Sequence, residues 1–397
     1  MKKWMLVLVS LFVSVSAFSQ SCLDDVWQCL RANQIPKAKK FMDACMSENP
    51  DNAAVWLMQA NVNINLYNYD LERQAKDPSV AARYPNALED AYAAFVKALE
   101  LDKNVTPKTG MLGAKEGQQL LARPFEEKAR AAEDKGKYGE AIQYYEKAAK
   151  CYELAQKKDD AAVMYYSCAI VYGKNKDNAN LEKMLEKCIS TSPKRTVTAY
   201  VVLYDFYKQE KDTVKCGEIL GKAQKAFSDD ADRLPQLYDP MMDYYAMVGD
   251  NEKLMEVVDK AIATGNPAMI PNCANFLSNA KSYAKAEQIL RDALAKDPTN
   301  FDLLKQMAYR YALEYYDLMD QRKAAMDNRK YDEANKIYQG PERKAAMENA
   351  HEWAQKAYEQ NPDNLENNLI LREMKTLLLL EVPQELNDKI NSRMKTE

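Results

Sequence analysis

Eight cysteines and a single histidine are the residues of this 397-residue chain with the most obvious reactive potential. A Ser–His–Asp arrangement would have to use His351, and no strand–turn–helix elbow accompanies any serine. His351 stands among Glu and Gln, with no HExxH and no Cys/His cluster at zinc spacing. Gly110, Gly113 and Gly117 are spaced neither as a P-loop nor as a dinucleotide fingerprint. Acidic residues are many but are spread along the chain. These patterns predict no catalytic set, no metal site and no cofactor. The cysteines form no CxxC pair, which argues against a redox enzyme. Their spacing suits structural bridges instead. In an antiparallel helical hairpin, residues equally far from the turn face each other. Cys22 and Cys45 flank a turn at Asn33–Pro36, and Cys151 and Cys168 flank one near Lys157–Asp160. Each is a candidate disulfide if the Cβ vectors converge. Cys188 competes for Cys168, and cysteine also serves as a small buried core residue.

Disulfides need an oxidising compartment, and the first residues supply a route to one. Lys2 and Lys3 form a positive n-region, followed by a short apolar run from Trp4 to Val15. Ala17-Phe18-Ser19 is a small-x-small cleavage site, so residues 1–19 read as a signal peptide and Gln20 as the mature start. A lipid on Cys22 is disfavoured, because Ser19-Gln20-Ser21 lacks the apolar residue such a site requires. No other stretch is apolar enough for a transmembrane helix. The net charge is −4, with both signs interleaved. That is a solvated helical surface, without the basic face a nucleic-acid partner needs.

The elements that must position these residues are helices. Glycine is scarce and no alternating β pattern stands out. The stretch Pro267 to Asn300 reads as two short helices and a turn, the first over 268–280 and the second over 282–296. Ile270, Cys273, Ala274 and Leu277 share one helical face, as do Ala286, Leu290 and Ala293. Pro298 ends the unit. A second unit, from Ala162, places Tyr165, Cys168, Ala169, Tyr172, Leu181, Leu185, Cys188 and Pro193 at the same offsets.

This pattern resembles the tetratricopeptide repeat (TPR), a helical hairpin of period 34 with large residues at positions 4, 7, 11 and 24, small ones at 8, 20 and 27, and proline at 32. The resemblance covers most of the chain. It implies an all-α, TPR-type helical-hairpin solenoid wound as a right-handed superhelix, with about eight repeats and a C-terminal capping helix. Repeat positions 2, 5, 9, 12 and 13 then face a concave groove. Carried over, these positions give Asn61 and Asn65 in the second repeat and Asn275 and Asn279 in the seventh. Arg130 and Tyr309 fall at position 9 of their repeats. An asparagine there has both donor and acceptor for a peptide backbone. Leu57 and Pro271 stand where a carboxylate-gripping lysine would be needed.

The predicted organisation follows. Residues 20–104 hold the N-terminal repeats with an inserted loop at 70–85. Residues 105–117 are a linker or hinge. Residues 118–364 hold further repeats with a projecting helical insertion at 320–347, and 365–397 are a capping helix and polar tail. The resemblance implies an exported bacterial scaffold or adaptor, periplasmic or envelope-associated, that binds a protein or peptide and does no catalysis. The alternative is a glycan or small-molecule binder using the 25 tyrosines as stacking platforms, although Tyr145, Tyr165, Tyr172 and Tyr311 fall in core slots of the repeat. An enzyme is the third class. N-terminal sequencing of the mature protein should begin at Gln20; a chain that still begins at Met1 would contradict the export reading.

Overall fold

Aspartate and asparagine open several of the helices, and their side chains act as that residue type requires. The computed structural model describes residues 22–394; the expected signal peptide and its cleavage site lie outside them. Among the described residues the chain is helical with no strand. Helix α1 covers 22–31. The N-terminal series continues with α2 (Ile35–Glu48), α3 (Ala53–Lys76), α4 (Ala87–Leu101), α5 (Ala114–Asp134), α6 (Tyr138–Leu154), α7 (Lys158–Lys174), α8 (Asn178–Thr191) and α9 (Val197–Gln209). Then come α10 (Thr213–Phe227), α11 (Tyr238–Val248), α12 (Asn251–Ala263), α13 (Ile270–Asn279), α14 (Tyr283–Leu294) and α15 (Phe301–Asp327). The last are α16 (Tyr331–Gln339), α17 (Pro341–Gln360), α18 (Leu365–Leu377) and α19 (Gln384–Met394). Asn52, Asp177, Asp212, Asp250, Asn300 and Asn364 each accept a backbone N–H in the first turn of the helix that follows. That satisfies one of the donors every helix start leaves unpaired.

One turn geometry recurs. Gly136, Lys176, Lys211, Gly249, Lys281 and Arg329 are all left-handed, with φ between 58° and 73°. In each case the next residue donates its N–H five residues back: Lys137 to Ala132, Asp177 to Tyr172, Asp212 to Tyr207, Asp250 to Tyr245, Ser282 to Leu277 and Lys330 to Ala325. This Schellman closure pairs carbonyls that the ending helix would otherwise leave bare. It also turns the chain back, so the two helices pack antiparallel.

Small residues let the paired helices approach. Ala60, Ala91 and Ala98 are fully buried, as are Ala129, Ala141 and Ala148. Ala274 and Ala286 are buried in the seventh repeat as predicted, and Ala293 is half-buried. Tyr145, Tyr165 and Tyr311 are core residues as expected, whereas Tyr172 is only half-buried. The chain divides into two compact halves, Met1–Phe206 and Tyr207–Glu397.

The structure departs from the predicted boundaries in four places. First, α3 runs on to Lys76, so the irregular stretch is 77–86 and does not begin at 70. Asp70 explains the extension: buried within the helix, it accepts the Tyr84 N–H and pairs with Arg73 at 3.1 Å. Second, α5 begins at Ala114, which removes the last residues of the expected hinge. Third, much of the expected insertion lengthens α15 and α17, which pack on each other, and only α16 is additional. Fourth, the cap is two helices. Its first stops at Leu377, and the tail past Pro383 forms α19, because Leu386 and Ile390 stand one turn apart and bury against Leu371 and Ala354.

The cysteine expectations split. Cys22 and Cys45 form a disulfide with Cα atoms 5.7 Å apart, which also leaves no free thiol for a lipid on Cys22. Cys151 and Cys168 are buried and carry no disulfide. The reason is the turn position. The left-handed residue between α6 and α7 is Gln156, so Cys151 lies close to the turn and Cys168 lies far from it. In the first hairpin the turn is at Asn33, nearly midway between the bridged pair.

In the C-terminal half, Arg310 is buried and fully engaged. It pairs with Glu287 at 3.1 Å and Glu314 at 2.6 Å, donates to the Tyr283 carbonyl at 3.2 Å, and lies 3.9 Å from the Tyr311 ring centroid. Burial works to raise the pKa of Glu287. Hydrogen bonds from Arg291 and Tyr311 and the Arg310 charge outweigh it and hold the carboxyl below its usual 4.5. A lowered pKa contributes stability that is present above 4.5 and lost as pH falls through the folded value.

Two outcomes follow from these contacts. Replacing Cys22 and Cys45 with serine closes no 23-residue loop and should lower unfolding free energy by about 3 kcal/mol in a urea titration under oxidising conditions; an unchanged midpoint would contradict a formed bridge. On acidification below pH 4.5 the wild-type chain should lose stability more steeply than Arg310→Met, and parallel pH profiles would remove Glu287 from that role.

Candidate functional site

Asn61 occupies a predicted groove position, and its amide does pair with a peptide backbone. The peptide is the chain's own. Asn61 Nδ2 donates to the Leu112 carbonyl at 3.0 Å, and Asn61 Oδ1 accepts the Leu112 N–H at 2.9 Å. Nδ2 also reaches the Leu57 carbonyl at 2.9 Å. Asn61 is consequently only 5% exposed, and the neighbouring groove positions Leu57 and Ile64 are buried with it. Asn65, one turn on, spends its amide on the Asn61 carbonyl at 2.8 Å. The second-repeat asparagines therefore do not offer an open surface, which corrects the expectation for Asn61.

The segment that covers them is the predicted hinge. Its Met111 N–H donates to the Lys108 carbonyl at 3.0 Å, closing a turn in which Gly110 has φ +87°. That value at the third turn position favours glycine. The turn is fastened to α1 by an ion pair between Lys108 and Asp24. The Trp27 ring lies against Gly110, where an added Cβ would stand 2.9 Å from it. Met111 packs on the cluster containing Leu23 and Val26.

The C-terminal half presents the remaining amides differently. Asn275 is half-buried and Asn279 is exposed. Asn279 Nδ2 donates to the Asn275 carbonyl at 2.9 Å and to Asn275 Oδ1 at 2.6 Å. The Tyr309 hydroxyl donates to Asn279 Oδ1 at 3.4 Å. Three predicted residues thus meet, across α13 and α15. Pro271, Asn275 and Asn279 recur at four-residue steps along one face of α13. Pro271 lines a cleft of about 610 Å³ together with Ile270, Ile289, Asp292, Lys296 and Asp302. Arg130 is exposed in the N-terminal half and pairs with Glu126 on its own helix at 2.6 Å.

The recurring left-handed turn, the antiparallel hairpin and the alanine slots decide the architecture. The fold is that of a TPR-type helical repeat. The sequence matches no family model and no curated protein. Solved structures similar to this chain include the TPR domain of P58(IPK), at TM-score 0.27 and 15% identity over 91% of this chain and 98% of that one. Yeast Tom70 is similar at TM-score 0.35 and 15% identity, over 92% of this chain and 89% of that one. A tetratricopeptide repeat protein from Parabacteroides merdae is similar at 0.28 and 14%, over 70% and 92%. The assignment rests on the hairpins themselves.

His351 is half-buried, and burial followed by the Lys375 charge lowers its pKa, which favours the neutral ring. Among the described residues, no group of three His, Cys, Asp or Glu is placed to hold a metal, and no helix is long and apolar enough to cross a membrane. Sequence reasoning missed the residues that seat the 105–113 segment, namely Asp24, Trp27 and the Lys108–Leu112 turn. The available signal was the run Val105, Met111 and Leu112, apolar residues in a stretch otherwise read as linker.

The two asparagine sets should therefore respond differently to truncation. Asn61→Ala strands both polar groups of Leu112 and should cost about 1–3 kcal/mol in chemical denaturation. Asn279→Ala, at an exposed position, should stay within about 0.5 kcal/mol. Equal small effects at both sites would contradict the clasp at Leu112.

Proposed function

We propose that this chain is an exported, non-catalytic scaffold that holds a protein or peptide partner of the cell envelope. The observation that carries this reading is the bonded set of half-buried Asn275, exposed Asn279 and half-buried Tyr309, on the α13 face that also carries Pro271 of the cleft. Their amides and hydroxyl bond one another in the free protein. Each can exchange those bonds for a peptide N–H or carbonyl, which is what backbone recognition on a rigid helical surface requires. The repeat architecture supports the reading, since stacked hairpins expose helix faces suited to contact. Export is supported by the Lys2-Lys3 and Ala17-Phe18-Ser19 pattern and by the Cys22–Cys45 bridge, because structural disulfides persist in oxidising compartments. The scaffold would act by positioning its partner, with no covalent step.

Each peptide hydrogen bond lost should cost about 0.5–1.5 kcal/mol of binding. Replacing Asn275 and Asn279 with Ala and Tyr309 with Phe should reduce capture of an envelope partner about tenfold or more while leaving the melting temperature in place. Undiminished capture by this triple variant would place the contact surface elsewhere.

A further inference from the structure

We propose that the surface formed by α1 and α3 is a second peptide-binding site, already filled by the chain's own 105–113 segment. The partner we infer for it is a segment of matching chemistry from another protein: a lysine, a glycine two residues later at the third position of a turn, then two large apolar residues. This deepens the scaffold reading and rests on it, but it concerns a different half of the molecule from Asn275 and Asn279.

Four contacts define the recognition. Asp24 takes the lysine ammonium. The Trp27 ring covers the glycine so closely that a side chain there would collide with it. Leu23 and Val26 belong to the cluster that receives the methionine. Asn61 clasps both backbone groups of the following leucine. Each demands a different property of the occupant: charge, absence of a Cβ, apolar bulk, and an unpaired peptide group in register. Together they make a sequence-selective site.

The occupant is held as a ligand is held. No residue from 105 to 112 is fully buried, and several are exposed. Its backbone bonds to the main chain are the Val105–Asp102 and Met111–Lys108 closures and the bond that its Gly113 carbonyl accepts from the Gly117 N–H at the start of α5. Side chains of α1 and α3 add the contacts to Lys108, Gly110 and Leu112, and Met111 packs on a cluster that also draws on α2. Segments with few buried contacts open locally, without unfolding the elements beneath them. The helices on either side, α4 and α5, are paired with α3 and α6 and keep their own packing when the segment lifts. Because the segment is tethered at both ends, it competes at high effective concentration. An outside peptide therefore binds with an affinity reduced by the fraction of time the site stands open.

The test uses the full chain and a labelled peptide of sequence VTPKTGMLGA, which copies residues 105–114. In one variant, Lys108→Glu and Met111→Ser weaken the tethered segment while leaving α1 and α3 intact. The peptide should bind this variant about tenfold or more tighter than the unmodified chain. Adding Asn61→Ala to the variant should remove that gain. Equal binding to the unmodified chain and the variant would overturn the proposal, and so would a gain that survives Asn61→Ala. Hydrogen exchange on the unmodified chain gives an independent outcome that does not need the variants to fold. The Leu112 amide should exchange faster than the amides in the middle of α3. Exchange of both only through global unfolding would make the segment a fixed part of the fold and defeat the idea. Neither result touches the Asn275 and Asn279 test.

Discussion

The left-handed turn at the head of most of the hairpins is the constraint on which the rest of this structure depends. It places residues such as Lys176, Lys211, Lys281 and Arg329 at a backbone angle that costs an L-residue about 1 kcal/mol or more. The two hydrogen bonds of the Schellman closure, and the antiparallel packing they permit, offset that cost. Once the chain reverses there, the alanine slots come opposite one another and the helices can close. The faces that remain outward are then set by helical period alone. Groove geometry is thus a consequence of turn geometry, and misplacing a turn by a few residues misplaces everything referred to it.

The cysteines show this directly. Both pairs are symmetric in sequence about an expected turn. The first turn falls at Asn33 as required, and Cys22 meets Cys45. The second falls at Gln156, ahead of the expected place, and Cys151 and Cys168 remain in separate core positions. Burial then raises both thiols well above their usual range, which keeps them protonated and unreactive. The hairpins and their small-residue slots were legible in the sequence because periodicity is local. The end of α3 was not, because it is held by Asp70 reaching Tyr84 across a loop. The last helix was also obscured, since its two buried residues, Leu386 and Ile390, sit in a polar stretch.

The site residues divide along the same line. Repeat phase singles out Asn61, and its amide makes a two-way bond to a peptide group. It could not reveal that the peptide group belongs to Leu112, fifty-one positions away. No local pattern encodes a contact of that separation. Asn275, Asn279 and Tyr309 bond one another across α13 and α15. Asn61 and Asn275 thus begin as equivalent repeat positions and end in different surroundings: Asn61 is buried under Leu112, while Asn275 is half-buried beside the exposed Asn279.

That division is the centre of the account, and site-specific photocrosslinking in living cells tests it most directly. A photoreactive residue placed at Asn279 should yield a crosslink to a separate protein, while one placed at Asn65, beside the clasp, should yield chiefly a link within the chain to the 105–113 segment. An intramolecular product alone from position 279, or a separate partner captured from position 65 in the unmodified chain with no internal link, would contradict it.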